Sequence, residues 1–229
     1  MSTARKRRPA PRLTGVTYDT YVKLRDAPGN RHLRMAYHDG VLEFMSPQYR
    51  HDRASRRLMT LIYAYCQAFD VPCEAAGSTT FRKGLPGELK GKGREADESF
   101  HIGAVVQIVL PKDTLDLMVD PPPSLWVEVD NWGSSASKLP LYAGLGVPEV
   151  WRFRPRRRKL WFGRLAGATY EELAVSVVLP GLTPGMVLQL LADGARTPAA
   201  QWGEWLRADW FPSHRKELID PGTMEGGQP

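Results

Sequence analysis

Two acidic residues in short apolar segments are the first candidates for chemistry in this 229-residue chain. Glu128 lies within the segment 124–130, SLWVEVD, and Asp97 lies near the start of the segment 96–102, ADESFHI. An ionised carboxylate in an apolar strand costs free energy unless it pairs with a cation or binds a metal. If these segments are neighbouring strands, about 4.8 Å apart, both carboxylates can bind one hard cation such as Mg²⁺ or Mn²⁺.

Lys138 follows Glu128 closely in the sequence, at the predicted start of a helix, and can therefore return to the same site. Two acids and a lysine are the groups that metal-assisted phosphodiester cleavage needs. The metal orients a water and stabilises charge on the phosphate, and the ammonium adds stabilisation or helps to deprotonate the water. The structural alternative is that Glu128 pairs with an arginine or emerges on an exposed face.

Other residues are weaker candidates. Glu43 is a further possible metal ligand, although a hairpin acid is more often solvated, and His51 could contact a phosphate or act as a base. The His38-Asp39 and His51-Asp52 pairs are similar to the ligands of HD-type phosphohydrolases. Those enzymes place the ligands on helices, whereas the first pair here falls in a predicted turn, and we set this alternative aside. Residues 91–93 are interpreted as a glycine-containing loop without phosphate-loop spacing.

The elements that must position these residues follow from hydrophobic periodicity. Residues 34–46 alternate around Asp39-Gly40, which predicts a β-hairpin. Residues 51–69 have apolar side chains at three- and four-residue spacing, which predicts an amphipathic helix with a basic first half. Further extended segments are predicted at 71–82, 96–102, 124–130, 149–154 and 159–165, and further helices at 138–145 and 199–211. This order predicts an α/β or α+β domain with a mixed central sheet.

Charge is distributed unevenly along the chain. The net charge is +6, from 31 basic and 25 acidic residues, but residues 1–12 carry five cations before the first acid. Basic residues also cluster at 50–57 and 152–164, whereas acids cluster between Asp113 and Asp130. Such segregation is typical of a metal site that faces a polyanion, and solvated faces explain it equally well.

Composition excludes several classes of protein. Hydrophobic residues make up 42% and charged residues 24%, as in globular domains, which argues against disorder, collagen and coiled coil. The two cysteines are too few for a disulfide scaffold, and no apolar stretch follows the basic N-terminus, so we expect a cytoplasmic protein. The uncharged segment 173–192 is interrupted by Pro180, Gly181, Pro184 and Gly185. It therefore predicts a strand, a turn and a second apolar element, and not a membrane span.

Three segments carry a family resemblance: 95–102 (EADESFHI), 116–130 (DLMVDPPPSLWVEVD) and 138–154 (KLPLYAGLGVPEVWRFR). They resemble the Uma-two family of restriction-endonuclease-like proteins, in the PD-(D/E)XK superfamily. The resemblance covers roughly residues 15–190. It implies a restriction-endonuclease-like core, in which a mixed central sheet is flanked by helices and follows an N-terminal hairpin.

The resemblance also implies an activity and a site. The expected activity is hydrolysis of DNA by an endonuclease that depends on Mg²⁺ or Mn²⁺. Asp97, preceded by Ala96 where the superfamily has proline, takes the place of the first metal-binding acid, and Glu128 takes that of the second. Two residues after Glu128 the superfamily has a lysine, whereas this chain has Asp130, which is a possible additional site residue. The resemblance therefore implies that Lys138 takes the role of that lysine.

Domain organisation and partners complete the expectations. Residues 1–14 are expected to be a basic disordered arm, 15–190 the nuclease domain, 191–212 a C-terminal helical extension and 213–229 a flexible tail. The expected partner is DNA, and a homodimer remains open. Candidate nucleic-acid contacts are Arg53, Arg56 and Arg57. The alternatives are a non-catalytic nucleic-acid-binding module with the same fold, and an interaction protein whose buried acids are ion-paired.

Overall fold

The fold consists of two β-sheets with flanking helices. The computed structural model describes residues 11–30, 33–45, 49–77, 79–85, 88–130 and 135–219. The strands are β1 (Arg12–Thr14), β2 (Arg34–His38), β3 (Val41–Met45), β4 (Cys73–Ala75), β5 (Thr80–Gly84), β6 (Gly91–Glu95), β7 (Glu98–Ile102), β8 (Leu125–Val129), β9 (Glu149–Arg154), β10 (Lys159–Ala166) and β11 (Thr169–Leu173). The helices are α1 (Tyr18–Asp26), α2 (Tyr49–Ala68), α3 (Val106–Val109), α4 (Leu139–Leu145), α5 (Pro184–Asp193), α6 (Ala199–Trp205), α7 (Phe211–Ser213) and α8 (Arg215–Ile219).

The strands form two separate sheets. Within the described residues, the hairpin sheet has the order β1-β3-β2-β6-β5, and the mixed sheet has the order β11-β10-β9-β8-β7-β4. β8 and β9 pair in parallel, whereas the other strand pairs of the mixed sheet are antiparallel. The α/β class and the restriction-endonuclease-like core are confirmed, but the hairpin belongs to a second sheet. The chain crosses between the sheets at residues 96–97, so Asp97 lies on the bend that joins them.

The two faces of β8 pack into different cores, as its alternation predicts. Leu125, Val127 and Val129 are buried in a core that includes residues of α2, α5 and α6. Trp126 is buried on the opposite face, in a core with the apolar residues of α4. Because successive side chains of a strand point to opposite faces, Glu128 lies on the Trp126 face, towards α4.

β6 corrects the prediction of a loop at residues 91–93. A Cβ atom at Gly93 would lie 2.3 Å from the hydroxyl oxygen of Tyr21, and one at Gly91 would lie 2.6 Å from Cδ2 of Tyr18. The glycines therefore lie in a strand against which α1 packs closely, which is a recognised use of glycine in sheets. The loop interpretation is wrong because it took glycine as a sign of a turn.

Both ends of the described chain contain more regular structure than expected. Residues 12–14 pair with β3 as β1, although they fall within the predicted arm, and residues 1–10 lie outside the described residues. α8 falls within the predicted tail, and its Leu218 is buried. Gly181 has φ +83, and a Cβ atom there would lie 2.2 Å from the Leu218 carbonyl oxygen. The absence of a side chain at Gly181 therefore leaves room for the C-terminal segment to pack on the domain.

Of the segment 173–192, only Leu173 belongs to a strand, β11, so the strand predicted there is wrong. Residues 174–183 form turns and bends, and residues 184–192 belong to α5, so the predicted turn and second apolar element are confirmed. No helix in the described part of the chain has both the length and the apolar composition to cross a membrane.

His101 on β7 provides a test of stability against pH. Its side chain is buried, and burial lowers its pKa below the ordinary value of 6.5, although a hydrogen bond to the backbone at Pro121 opposes the shift. The unfolded chain therefore binds a proton more readily than the folded protein, and stability should fall as pH drops through about 6.5. We expect His101→Gln to reduce this loss between about pH 7 and about pH 5. The measurement is the melting temperature of wild type and His101→Gln as a function of pH. Equal pH dependence in the two proteins would contradict this expectation.

Candidate active site

Glu128 is buried, and both of its carboxylate oxygens accept hydrogen bonds. Trp126 Nε1 donates to Oε1 at 2.7 Å. Arg94 on β6 donates from Nη2 to Oε2 at 2.9 Å and from Nε to Oε1 at 3.3 Å. The Arg94 guanidinium also lies over the Tyr142 ring, 5.6 Å from its centroid. Burial raises the pKa of Glu128, and the charge of Arg94 opposes the rise. A buried ion pair therefore connects the hairpin sheet to the mixed sheet.

Asp97 lies beside Glu128 on the bend between the sheets. Continuing the register of β7 and β8 by one residue places Asp97 opposite Glu128. Asp97 Oδ2 accepts the N–H of Val129 at 2.8 Å, and Oδ1 accepts from Arg34 Nη1 at 3.0 Å. The charge of Asp97 contributes to the raised pKa of Glu128. The two acids thus meet at one corner, and each has an arginine partner.

Lys138 is held in a separate ion pair. It ends the 3₁₀ turn Ser135–Lys138 and directly precedes α4. Its ammonium pairs with Glu43 on β3, and Arg12 Nε lies 3.6 Å from the same carboxylate. Burial lowers the pKa of Lys138, and the charge of Arg12 lowers it further. The three residues that the sequence grouped therefore form two ion-paired groups.

Both groups face the same layer of the molecule. Glu43, Ala36 and Arg94 lie opposite one another on three adjacent antiparallel strands, so they share a face of the hairpin sheet. Two strand spacings separate Glu43 from Arg94 by about 10 Å. Tyr142 of α4 contacts Arg94, and Lys138 at the start of α4 binds Glu43. The layer between this face and α4, which we call the cleft, therefore contains both ion pairs.

Asp130 anchors the turn that carries Lys138. Its Oδ1 accepts the N–H of Ser135 at 2.7 Å, and its Oδ2 pairs with Arg152 Nη2 at 3.1 Å and with Arg154 Nε at 3.5 Å. These contacts give Asp130 a structural role two residues after Glu128.

The three candidate arginines of α2, Arg53, Arg56 and Arg57, contact protein groups. Arg53 and Arg57 donate to backbone carbonyls of the segment between α5 and α6, and Arg56 Nη1 lies 3.4 Å from Oε1 of the buried Glu98. Arg53 and Arg57 therefore hold the C-terminal segment against α2. The side chain of His51 lies outside the part of α2 whose side chains the structure describes.

Arg94 and Arg34 are site residues that the sequence did not identify. Both lie on the hairpin sheet, and their partners lie on the bend or on the mixed sheet. Recognition of β6 as a strand would have placed Arg94 on the face opposite Gly93. The structure shows that α4 packs on the Arg94 face. The identity of its partner depends on how the two sheets pack, which no local pattern contains.

Glu149 on β9 is another buried carboxylate, and it lies outside the cleft. Its Oε1 accepts from Trp151 Nε1 and from Ser176 Oγ, both at 2.6 Å. Its Oε2 accepts the N–H groups of Val177 at 2.8 Å and Val178 at 3.1 Å. Glu149 therefore fixes the turn between β11 and α5 by hydrogen bonds from neutral donors.

The donor set at Asp97 and Glu128 has the chemistry of a divalent-cation site, because both groups supply carboxylate oxygens. The described residues contain no cluster of three or more His, Cys, Asp and Glu side chains arranged to hold a metal. Each acid is instead compensated by an arginine. A divalent cation here would compete with Arg94 for Glu128.

Comparisons with known proteins agree with this fold. Residues 18–194 match the model of the Uma-two family, described as "putative restriction endonuclease". A crystal structure described as a "putative nuclease belonging to DUF820", from Anabaena variabilis, superimposes with a TM-score of 0.51 at 15% identity, over 83% of this chain and 99% of that chain. The comparison with curated proteins found no match. Because the family model matches well over half of the sequence, this chain belongs to the Uma-two family.

Proposed function

We propose that this protein is an endonuclease that hydrolyses phosphodiester bonds in DNA and depends on Mg²⁺ or Mn²⁺. The observation that carries the proposal is the convergence of Asp97 and Glu128 at the bend between the sheets, where Asp97 accepts the N–H of Val129. Family membership supports nuclease activity in general. DNA as the substrate and a divalent metal as the cofactor are the further steps of the proposal.

Asp97 and Glu128 would hold the metal. When bound, the metal supplies Lewis-acid stabilisation of the phosphate and a more acidic water. Arg94 must then leave Glu128, and its planar guanidinium matches a pair of phosphate oxygens as well as it matches a carboxylate. Arg94 thereby provides a positive group for the phosphate within the same cleft.

Lys138 is the proposed second cation of the cleft. Burial lowers its pKa, which brings the ammonium closer to the range in which it can exchange a proton near neutral pH. Glu43 positions the side chain, and Asp130 positions the turn that bears it. The Lys138 ammonium would therefore stabilise charge on the phosphate, whereas its neutral amine would accept a proton from the attacking water.

Glu128→Gln and Asp97→Asn test the proposal because they preserve shape and remove charge. We expect each variant to nick supercoiled plasmid at least about 100-fold more slowly than the wild type in Mg²⁺ or Mn²⁺, since a metal is worth several kcal/mol of transition-state stabilisation. Glu172→Gln, on exposed β11, is the matched control and should retain the wild-type rate. Unchanged nicking by either site variant would contradict the assignment.

The arginine partners of both acids favour a second function, that of a nucleic-acid-binding module without turnover. In such a module the arginines replace the metal permanently. If the wild type binds DNA but cuts neither duplex nor single-stranded DNA with either metal, this second function replaces the first. Calorimetric titration with Mn²⁺ gives an independent readout, because a nuclease site should bind the metal and lose that binding in Glu128→Gln.

A further inference from the structure

The tip of the hairpin between β9 and β10 is an exposed basic surface. Its turn, Pro155–Arg157, is followed by Arg158 and by Lys159 at the start of β10. Arg156, Arg157, Arg158 and Lys159 are consecutive and exposed. The sequence has no acidic residue between Glu149 and Glu171. The tip is therefore a local concentration of positive charge.

At one of these positions the backbone has a conformation that arginine rarely adopts. Arg158 has φ +47, in the left-handed region where glycine or asparagine is usual. The chain nevertheless has an arginine there, which adds a cation to the tip.

The hairpin projects from the edge of the sheet at which the acids lie. β8 and β9 are parallel, and Glu128 lies opposite Arg152, so β9 continues two residues past the level of Glu128 before the turn. At about 3.3 Å per residue, the turn begins about 7 Å beyond that level. This distance equals the rise of about two nucleotides along the axis of duplex DNA, at about 3.4 Å per nucleotide.

The other arginines of this hairpin have acidic partners. Arg152 and Arg154 pair with Asp130, and Arg164 pairs with Glu171 at 3.2 Å. Arg157, Arg158 and Lys159 lie beyond these pairs and are exposed. α2 offers a poorer surface, because its Arg53 and Arg57 bind backbone carbonyls of the C-terminal segment.

We infer that Arg157, Arg158 and Lys159 form a contact surface for the sugar–phosphate backbone of a nucleic acid, next to the phosphate at Asp97 and Glu128. The inference rests on the proposed function for the position of that phosphate. Contacts with phosphates position the strand without reading its bases. The tip therefore sets affinity and register, and the cleft performs the chemistry.

The test is the triple substitution Arg157→Gln/Arg158→Gln/Lys159→Gln. Binding of fluorescent duplex and single-stranded DNA is measured by anisotropy across a salt series, in a Glu128→Gln background so that the DNA stays intact. We expect the slope of log affinity against log salt to shrink by about 0.9 per lost phosphate contact on duplex DNA, and by up to about 2.7 for all three.

A control with the same loss of charge is Lys23→Gln/Arg196→Gln/Lys216→Gln, which changes exposed cations on α1, after α5 and on α8. It should leave the salt slope nearly unchanged. An equal decrease of the salt slope in both triple variants would show that the effect comes from net charge, and would overturn the inference. A wild-type salt slope in the tip variant would also overturn it. If the tip variant loses binding but wild-type protein never cleaves, the surface stands and the proposed nuclease activity fails.

Discussion

Arg94→Met is expected to lower the free energy of unfolding by about 3–5 kcal/mol, because removal of one partner from a buried ion pair leaves an uncompensated charge. Glu128 is only 4% exposed, so water cannot replace the lost guanidinium. Methionine keeps an unbranched apolar side chain beneath Tyr142, which limits the loss of packing. Urea unfolding of wild type and variant at neutral pH measures the difference.

Two controls separate charge from packing. Arg94→Met/Glu128→Gln should recover most of the lost stability, because neither charge remains. Arg82→Met breaks the more exposed pair with Asp26 and should cost at most about 1 kcal/mol. A single Arg94→Met variant as stable as the wild type would show that Arg94 does not compensate Glu128.

Divalent cations extend this experiment to the site. If Arg94 and a metal compete for Glu128, Mg²⁺ or Mn²⁺ should raise the melting temperature of Arg94→Met more than that of the wild type, because ligands that bind only the folded state stabilise it. The double variant lacks the Glu128 charge and should respond less. Equal shifts in all three proteins would indicate nonspecific binding of the cation.

Glu149→Ala should lower the free energy of unfolding by about 4 kcal/mol or more. The substitution leaves four donors without their acceptor. The donors of Trp151 and Ser176 are buried, and each buried donor that loses its partner costs about 1–3 kcal/mol. The exposed Glu172→Ala is the matched control and should change stability by no more than about 0.5 kcal/mol. Chemical denaturation measures both. Equal midpoints for Glu149→Ala and the wild type would show that these hydrogen bonds are not needed to fix the turn.

The strands and helices that depend on local pattern were predictable. Alternation in β8 places Leu125 and Trp126 on opposite faces in any sheet, because the period of a strand is a property of its backbone. The Asp39-Gly40 turn was predictable for a similar reason, since both residues have positive φ, 44 and 89, as a two-residue hairpin turn requires.

The contacts that depend on packing between distant elements were not predictable. Gly91 and Gly93 occur in a strand because α1 packs on them, and nothing local distinguishes that use of glycine from a loop. Arg94 binds Glu128, 34 residues later, across the junction of two sheets. Acidic candidates could be chosen by their unusual place in apolar segments, whereas one arginine among many carried no such signal.

The position of Arg94 and Glu128 on different sheets links occupancy of the cleft to the mechanics of the whole domain. An anion that draws Arg94 away from Glu128, or a cation that binds Glu128 in its place, breaks the ion pair between the two sheets. The rate of amide-proton exchange along β6 and β8 therefore reports whether a ligand is bound, even when no phosphodiester bond is cleaved.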